Sequence, residues 1–142
     1  MGVFSGMLLA QAKSPLVGTW TLDVAKSKAP FKSGTTVIEE AGKGLKFVVD
    51  LEGTEGKKHH WEFTANYDGK DVPITGESPY GDTLVLERVN ARTIRTIAKM
   101  GGKVTTTHTI VVSADGKTRT ATARGTDKAG KPVDSVSYYV KQ

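Results

Sequence analysis

The chain has 142 residues, of which 37% are hydrophobic, 16 are glycine and none is cysteine, and its formal net charge is +5. This length suits one domain with a single core, and the lack of cysteine excludes disulfides, thiol catalysis and thiolate metal sites. Lysine and arginine are spread over nearly every segment and only 7% of the residues are aromatic. We therefore expect no nucleic-acid partner, because such a partner needs basic residues gathered beside exposed aromatic rings.

The amino-terminal segment, Met1 to Ala12, is short and apolar and ends in Ala10-Gln11-Ala12, a small-x-small pattern like that of a signal-peptidase site. We expect residues 1–12 to be a remnant of an export signal on a periplasmic or secreted protein. No basic region precedes the apolar run, so a plain apolar tail is the alternative. The run is shorter than the ~20 residues that a membrane-spanning helix needs, so we expect no stable membrane insertion.

Residues 13–142 are predicted to form one domain of short strands separated by glycine-containing turns. The segments are rich in Thr, Val, Ile and Tyr, and Asp-Gly pairs such as Asp68-Gly69 and Asp115-Gly116 favour tight hairpins. This pattern predicts an all-β fold, a single antiparallel up-and-down barrel of about ten strands. The predicted strands are Val17 to Leu22, Thr35 to Ala41, Leu45 to Leu51, His59 to Tyr67, Asp71 to Thr75, Asp82 to Val89, Thr93 to Met100, Lys103 to Ser113, Thr118 to Arg124 and Val133 to Lys141.

Two segments depart from this regular pattern. The fifth predicted strand is short and contains Pro73, which has no backbone N–H and so indicates an edge, a bulge or a gap in pairing. Residues 23–32 are the only place for a helical turn, with Asp23 as a cap and Pro30 as a stop. Such a turn could cover one mouth of the barrel.

Alternation along a strand divides its side chains between two faces. The third and fourth predicted strands each have one clearly apolar face, which we expect to line the interior. The later strands carry threonine and alanine on both faces, and small side chains directed inward would leave space for one small molecule. The inward residues of the third and fourth strands are Leu45, Phe47, Val49, Leu51, Trp61, Phe63, Ala65 and Tyr67.

The segment Val17-Gly18-Thr19-Trp20-Thr21-Leu22, the order of hairpins and the closing Ser137-Tyr138-Tyr139-Val140-Lys141 resemble the calycin superfamily, the lipocalins and fatty-acid-binding-protein-like barrels. The resemblance implies that Trp20 packs beneath a ligand cavity. It also implies that a basic side chain from a late strand, Arg124 or Lys141, covers this tryptophan.

The chain is also similar to small exported bacterial lipocalin-like proteins of unknown function. The phrases that carry this similarity are residues 18–28, which begin Gly18-Thr19-Trp20, residues 67–71, which begin Tyr67-Asp68-Gly69, and residues 113–118, which begin Ser113-Ala114-Asp115-Gly116. Many fatty-acid-binding proteins hold the ligand carboxylate with a terminal Arg-x-Tyr, but the matching place here reads Ser137-Tyr138-Tyr139. Carboxylate binding in that manner is therefore not expected.

The histidines and acids give no clear catalytic or metal site. His59 and His60 are adjacent, so on a strand they point to opposite faces and cannot bind one metal ion together. His108 could add a third nitrogen to a zinc or haem site, but no ligands share a face at close spacing, and we expect no metal or cofactor. Glu62 or Glu87 could act as acid or base only if the assigned faces were inverted; pairing with Arg or Lys across the sheet is the simpler interpretation. We assign no catalytic residue.

These observations favour binding or carriage of a small apolar molecule inside a monomeric barrel. Two alternatives stay open: an isomerase or hydrolase built in the same cavity, and an envelope interaction module with a packed interior. An inward acid or histidine beside open space would favour the enzyme, and a filled interior would favour the module. We expect Trp20 and Arg124 at the barrel base and assign ligand contacts to Phe47, Trp61, Phe63, Tyr67, Met100, Thr106, His108 and Tyr139.

If residues 1–12 belong to an export signal, cleavage after Ala12 leaves a mature protein that begins at Lys13. Intact-mass measurement of the protein recovered from the periplasm or medium checks this. A mass that still includes Met1 to Ala12 would show that the segment is an uncleaved tail.

Overall fold

Eleven strands and no helix make up residues 14–142, the part of the chain that the computed structural model describes. The expected remnant of an export signal, residues 1–12, lies outside the described residues. No helix in residues 14–142 is long and apolar enough to cross a membrane. The strands are Gly18–Lys28 (β1), Phe31–Ala41 (β2), Gly44–Gly53 (β3), Lys58–Asn66 (β4), Val72–Pro73 (β5), Thr75–Gly76 (β6), Thr83–Asn90 (β7), Thr93–Met100 (β8), Lys103–Val112 (β9), Thr118–Thr126 (β10) and Pro132–Lys141 (β11).

All strands belong to one antiparallel sheet in the order β5-β7-β8-β9-β10-β11-β1-β2-β3-β4-β6. Chain neighbours pair as hairpins within β1 to β4 and within β7 to β11. The first strand also pairs with the last, with Trp20 opposite Lys141. The sheet curls until it is nearly closed into a barrel, which confirms the predicted all-β, up-and-down fold.

The two ends of the sheet meet at one short, interrupted stretch of chain. Val72 and Pro73 pair with β7, whereas Thr75 and Gly76 pair with β4. The interruption predicted at Pro73 is therefore confirmed, since pairing passes from one sheet end to the other just after the proline. Gly76 has a φ of 98°, and a Cβ there would lie 2.3 Å from the carbonyl oxygen of His60. Only glycine fits this junction without strain.

A bulge replaces the helical turn expected in residues 23–32. The register between β1 and β11 moves from Asp23 opposite Tyr138 to Lys28 opposite Val136, so β1 carries extra residues. The Ser27 hydroxyl fills the gap in the ladder, because it accepts a hydrogen bond from Tyr138 N at 2.9 Å and donates one to Asp23 O at 2.7 Å. Side-chain hydrogen bonding of this kind lets the strand bend without leaving backbone groups unpaired.

Trp20 forms the base of the barrel and is fully buried. Its Nε1 donates a hydrogen bond to Leu16 O at 2.9 Å, which holds the preceding segment against the ring. Lys141 Nζ lies 5.0 Å from the centroid of the Trp20 ring and donates a hydrogen bond to Pro15 O at 3.1 Å. The expected basic cover of the tryptophan is therefore supplied by Lys141 at the end of β11.

Arg124 is not part of the base, and that expectation was wrong. The residue is exposed and pairs in register with Asp134 at the far end of β10 and β11. The basic residue of β10 that does reach Trp20 is Arg119, whose guanidinium carbon lies 5.2 Å from the ring centroid. Arg119 reaches Trp20 and Arg124 does not because Arg119 lies near the start of β10 and Arg124 lies near its end.

The inward faces predicted for the third and fourth strands are confirmed for β3 and β4. Phe47 and Phe63 are paired in register, and their rings stack with centroids 4.7 Å apart. The buried core also includes Leu45, Val49, Leu51, Trp61 and Ala65. Offset stacking of this kind stabilises the pair beyond the area that it buries.

Trp20→Ala should lower the free energy of unfolding by about 3–5 kcal/mol, because it removes a fully buried aromatic ring and its hydrogen bond. Denaturant titration measures this, and Tyr138→Ala on the exposed face of β11 is the control with little expected effect. Equal, small effects of the two substitutions would contradict the role of Trp20 as the base.

Candidate functional site

A cavity lies inside the barrel, between the Trp20 base and the end of the barrel where β2 and β11 begin. Together with its opening it holds about 730 Å³ of space free of protein atoms, and the centre of a water-sized sphere can move through about 80 Å³ of it. A site for one water molecule needs only ~10–15 Å³ of volume open to the centre of such a sphere. The interior is therefore not filled by side chains.

The wall formed by β2, β3 and β4 is apolar and rich in aromatic rings. Strands β3 and β4 have the alternation of large apolar and polar residues that directs one face inward. The lining residues from this side are Phe31, Phe47, Val49, Leu51, Trp61 and Phe63, with Thr36 as a polar exception.

The opposite wall, formed by β8 to β11, carries short and polar side chains. Alanine, serine and threonine are too small to reach the aromatic wall, and this difference in size leaves the space open. The lining residues from this side are Thr96, Ala98, His108, Ile110, Arg119, Ala121, Ala123, Ser135, Ser137 and Tyr139.

Arg119 is a buried cation that lines the cavity, with 3% of its surface exposed. None of the ion pairs among residues 14–142 includes it, and its Nε has no hydrogen-bond partner there. The guanidinium carbon lies 4.1 Å from the centroid of the Tyr139 ring. Burial lowers the pKa of Arg119 to about 10, so the side chain still carries its charge at neutral pH.

His108 lines the same cavity and is neutral at neutral pH. Desolvation by burial, and then the positive charge of Arg119, lower the pKa of His108 to about 4. Its ring meets that of Tyr80 edge to face, with centroids 4.6 Å apart. A neutral imidazole has one donor and one acceptor nitrogen, so His108 can orient a polar group of a bound molecule in either sense.

Tyr80 closes the cavity at the end opposite Trp20. Its side chain, with Phe31 and Ser135, lines both the cavity and a second groove on the outside. The backbone around it is anchored, because the Thr105 hydroxyl donates to Tyr80 O at 2.6 Å and Lys128 N donates to Pro79 O at 2.9 Å. Burial raises the pKa of the Tyr80 hydroxyl. The loop between β6 and β7 therefore holds Tyr80 between the cavity and the outer groove.

Five of the eight residues predicted to contact a ligand line the cavity: Phe47, Trp61, Phe63, His108 and Tyr139. Three do not. Met100 is 42% exposed at the end of β8, beside the Gly101-Gly102 turn. Thr106 is buried, and its hydroxyl donates to Thr126 O at 2.6 Å. Tyr67 follows β4 and lies beneath the guanidinium of Arg88, at 4.2 Å.

Arg119, Tyr80 and the three lining serines, Ser78, Ser135 and Ser137, were not assigned as site residues from the sequence. The alternation on β10 groups Arg119 with Ala121 and Ala123, and this face proves to be the inner one. The sequence feature that could have identified Arg119 as a cavity residue was its position on the same strand face as two alanines. The three serines and Tyr80 offered no comparable pattern.

The remaining histidines and acids lie on the outside. His60 is exposed, and hydrogen bonds to Asp50 and Glu62 raise its pKa; Nδ1 lies 2.6 Å from Asp50 Oδ1. Glu87 pairs with Arg95 across β7 and β8 at 3.3 Å, and Glu62 pairs with Lys46 across β3 and β4 at 4.0 Å, which confirms the interpretation of these two acids as cross-strand partners. Within residues 14–142 no group of three or more His, Asp or Glu side chains is arranged to hold a metal ion.

A scan of protein-family models and a search of curated proteins found no match to this chain.

His108 should make the protein less stable as the pH falls. In the unfolded chain a histidine binds a proton near pH 6.5, whereas in the folded protein the pKa of His108 is about 4. The unfolded state therefore binds more protons in this interval, and about 3 kcal/mol of stability is lost as the pH falls from 6.5 to 4. Two other groups that line the cavity stay outside this interval, because the pKa of Arg119 is about 10 and burial raises the pKa of Tyr80 above its ordinary value.

Denaturant titrations of the wild type and His108→Gln at several pH values between 4 and 7 measure this loss. The variant should show a shallower decline, whereas the exposed control His60→Gln should follow the wild type below pH 6. Parallel curves for wild type and His108→Gln would contradict the partly buried, neutral state of His108.

Proposed function

We propose that this protein binds a small, mainly apolar molecule inside its barrel. The observation that carries the proposal is the unfilled space between the aromatic wall of β2 to β4 and the short side chains of β8 to β11. Binding pockets of small molecules are typically apolar cavities with a few placed polar groups, and His108, Arg119 and Tyr139 are such groups here. An interior with open space supports binding rather than the packed interaction module.

The size of the space favours a compact ligand. A single ring or a short chain suits the volume better than a long acyl chain does, because the aromatic wall and the closed mouth limit the length available. Trp61 and Tyr80 meet edge to face with centroids 5.9 Å apart, so a larger molecule needs displacement of the Tyr80 side chain. We propose entry through this mouth, where the cavity and the outer groove share Tyr80.

The calycin-like character of the barrel belongs to the same proposal. Trp20 beneath the cavity, with Lys141 over its ring, supports it, as do the up-and-down order and the pairing of first and last strands. A monomeric, exported carrier is the form of the protein that we propose.

One observation favours a second candidate, an acid–base enzyme in the same cavity. His108 lines the open space and is neutral at neutral pH, so its free nitrogen can accept a hydrogen bond or, from a sufficiently acidic substrate, a proton. A nearby cation, Arg119, could stabilise the negative charge that such a step creates. An isomerase fits these two groups better than a hydrolase, because no nucleophile is paired with the imidazole in residues 14–142.

Filling the cavity tests the proposed binding function. Ala121→Leu places a larger side chain into the open space, so it should change the free energy of unfolding by less than about 1 kcal/mol. The same substitution at Ala65, which is buried in the core but does not line the cavity, should cost about 1–3 kcal/mol by overpacking.

The binding readout is fluorescence titration with N-phenyl-1-naphthylamine, a neutral apolar probe, supported by calorimetry with benzamide. Ala121→Leu should abolish the binding seen with the wild type, whereas Ala65→Leu should retain it under conditions where it is folded. If Ala121→Leu is as destabilising as Ala65→Leu, the interior is packed and the proposal fails.

A further inference from the structure

The positive charge of Arg119 in the cavity has no counter-ion among residues 14–142. An ionised guanidinium in a buried, apolar setting is unfavourable unless an anion and hydrogen-bond acceptors accompany it. No carboxylate of residues 14–142 lies within 4.0 Å of the Arg119 guanidinium, and the Nε is without an acceptor. Of the side chains lining the cavity, none is an Asp or a Glu.

We infer that the ligand carries a carboxylate that pairs with Arg119 at the inner end of the cavity. This inference rests on the proposed binding function and adds the chemical class of the ligand. A planar guanidinium can give a carboxylate two parallel hydrogen bonds, and the low dielectric of the surroundings strengthens such a pair.

Neighbouring groups suit an anion at this position. Tyr139 is opposite Arg119 in the β10–β11 ladder, and Ser137 is opposite Ala121, so both hydroxyl groups line the same end of the cavity. Each hydroxyl can donate a hydrogen bond to a carboxylate oxygen. The apolar remainder of the ligand would then lie against Phe47 and Phe63, which line the opposite wall.

A purely structural role for Arg119, as a cover of Trp20, accounts for less of the geometry. Lys141 already lies over the Trp20 ring and is fixed by its hydrogen bond to Pro15 O. Lys141 does not line the cavity, whereas Arg119 does. The guanidinium is also closer to the ring of Tyr139 than to that of Trp20, 4.1 Å against 5.2 Å.

Two matched pairs of compounds test the inference by isothermal titration calorimetry at pH 7: benzoate with benzamide, and hexanoate with hexanamide. The members of a pair have nearly the same shape and differ in charge. The wild type should bind at least one carboxylate about tenfold or more tightly than its amide, as one charge-assisted hydrogen-bonded pair provides. Benzoate should also raise the melting temperature of the wild type.

Three variants separate a binding role from a structural one. Arg119→Met keeps the length of the side chain without its charge, so it should lose the preference for carboxylate while retaining amide binding, and its melting temperature without ligand should not fall. Arg119→Lys should retain part of the preference. Lys141→Met, the control, removes the other cation near Trp20 and should leave the preference unchanged.

Each outcome decides the inference. Equal affinity of the wild type for carboxylate and amide overturns the carboxylate and leaves the apolar binding function standing. Arg119→Met that keeps the preference but melts at a lower temperature shows that Arg119 is a structural cover. No binding of these four compounds or of N-phenyl-1-naphthylamine overturns both proposals.

Discussion

The packing of Trp20 at the base of the barrel connects more of the structure than any other contact. The ring belongs to β1, its indole N–H holds Leu16, and cations from β10 and β11 lie near it. It thereby joins the start of the chain to the two last strands, and this junction closes the up-and-down sheet. Because the base is filled by one large ring, the space above it can remain open without loss of the fold.

The cavity results from a difference in side-chain size around the barrel. Strands β2 to β4 supply large apolar residues, whereas six of the ten lining residues of β8 to β11 are alanine, serine or threonine. Filling this space would bury more apolar surface and stabilise the protein, so the open volume has an energetic cost. Arg119 adds a second cost, because its charge is buried without an anionic partner among residues 14–142 and its Nε has no hydrogen-bond acceptor there. Both costs lie in one place, and functional sites commonly depart from optimal stability in this way.

The sequence allowed the fold and half of the cavity to be predicted. On β3 and β4 large apolar residues alternate with polar ones, so Phe47, Trp61 and Phe63 could be assigned to the interior. On β10, one face carries Arg119 and alanines and the other carries threonines. Neither face is clearly apolar, so the sequence does not show which of them lies inside the barrel. Met100 was assigned to the cavity wall by alternation along its strand, but alternation does not predict which way a side chain points where a strand ends in a turn. The bulge in β1 has no local signature, because it depends on Ser27 meeting the backbone of β11 far along the chain.

The two ionisable groups of the interior affect each other through their charges. The positive charge of Arg119 is the second cause, after burial, of the low pKa of His108. A carboxylate at Arg119 would cancel that charge, so the pKa of His108 would rise when such a ligand binds. Proton binding by His108 and anion binding by Arg119 then favour each other. Since burial is the larger cause, the imidazole still remains neutral near pH 7, and the occupied site would contain a neutral histidine beside a neutralised ion pair. That arrangement suits retention of an anionic apolar molecule, and it leaves His108 able to accept a proton if the ligand offers one.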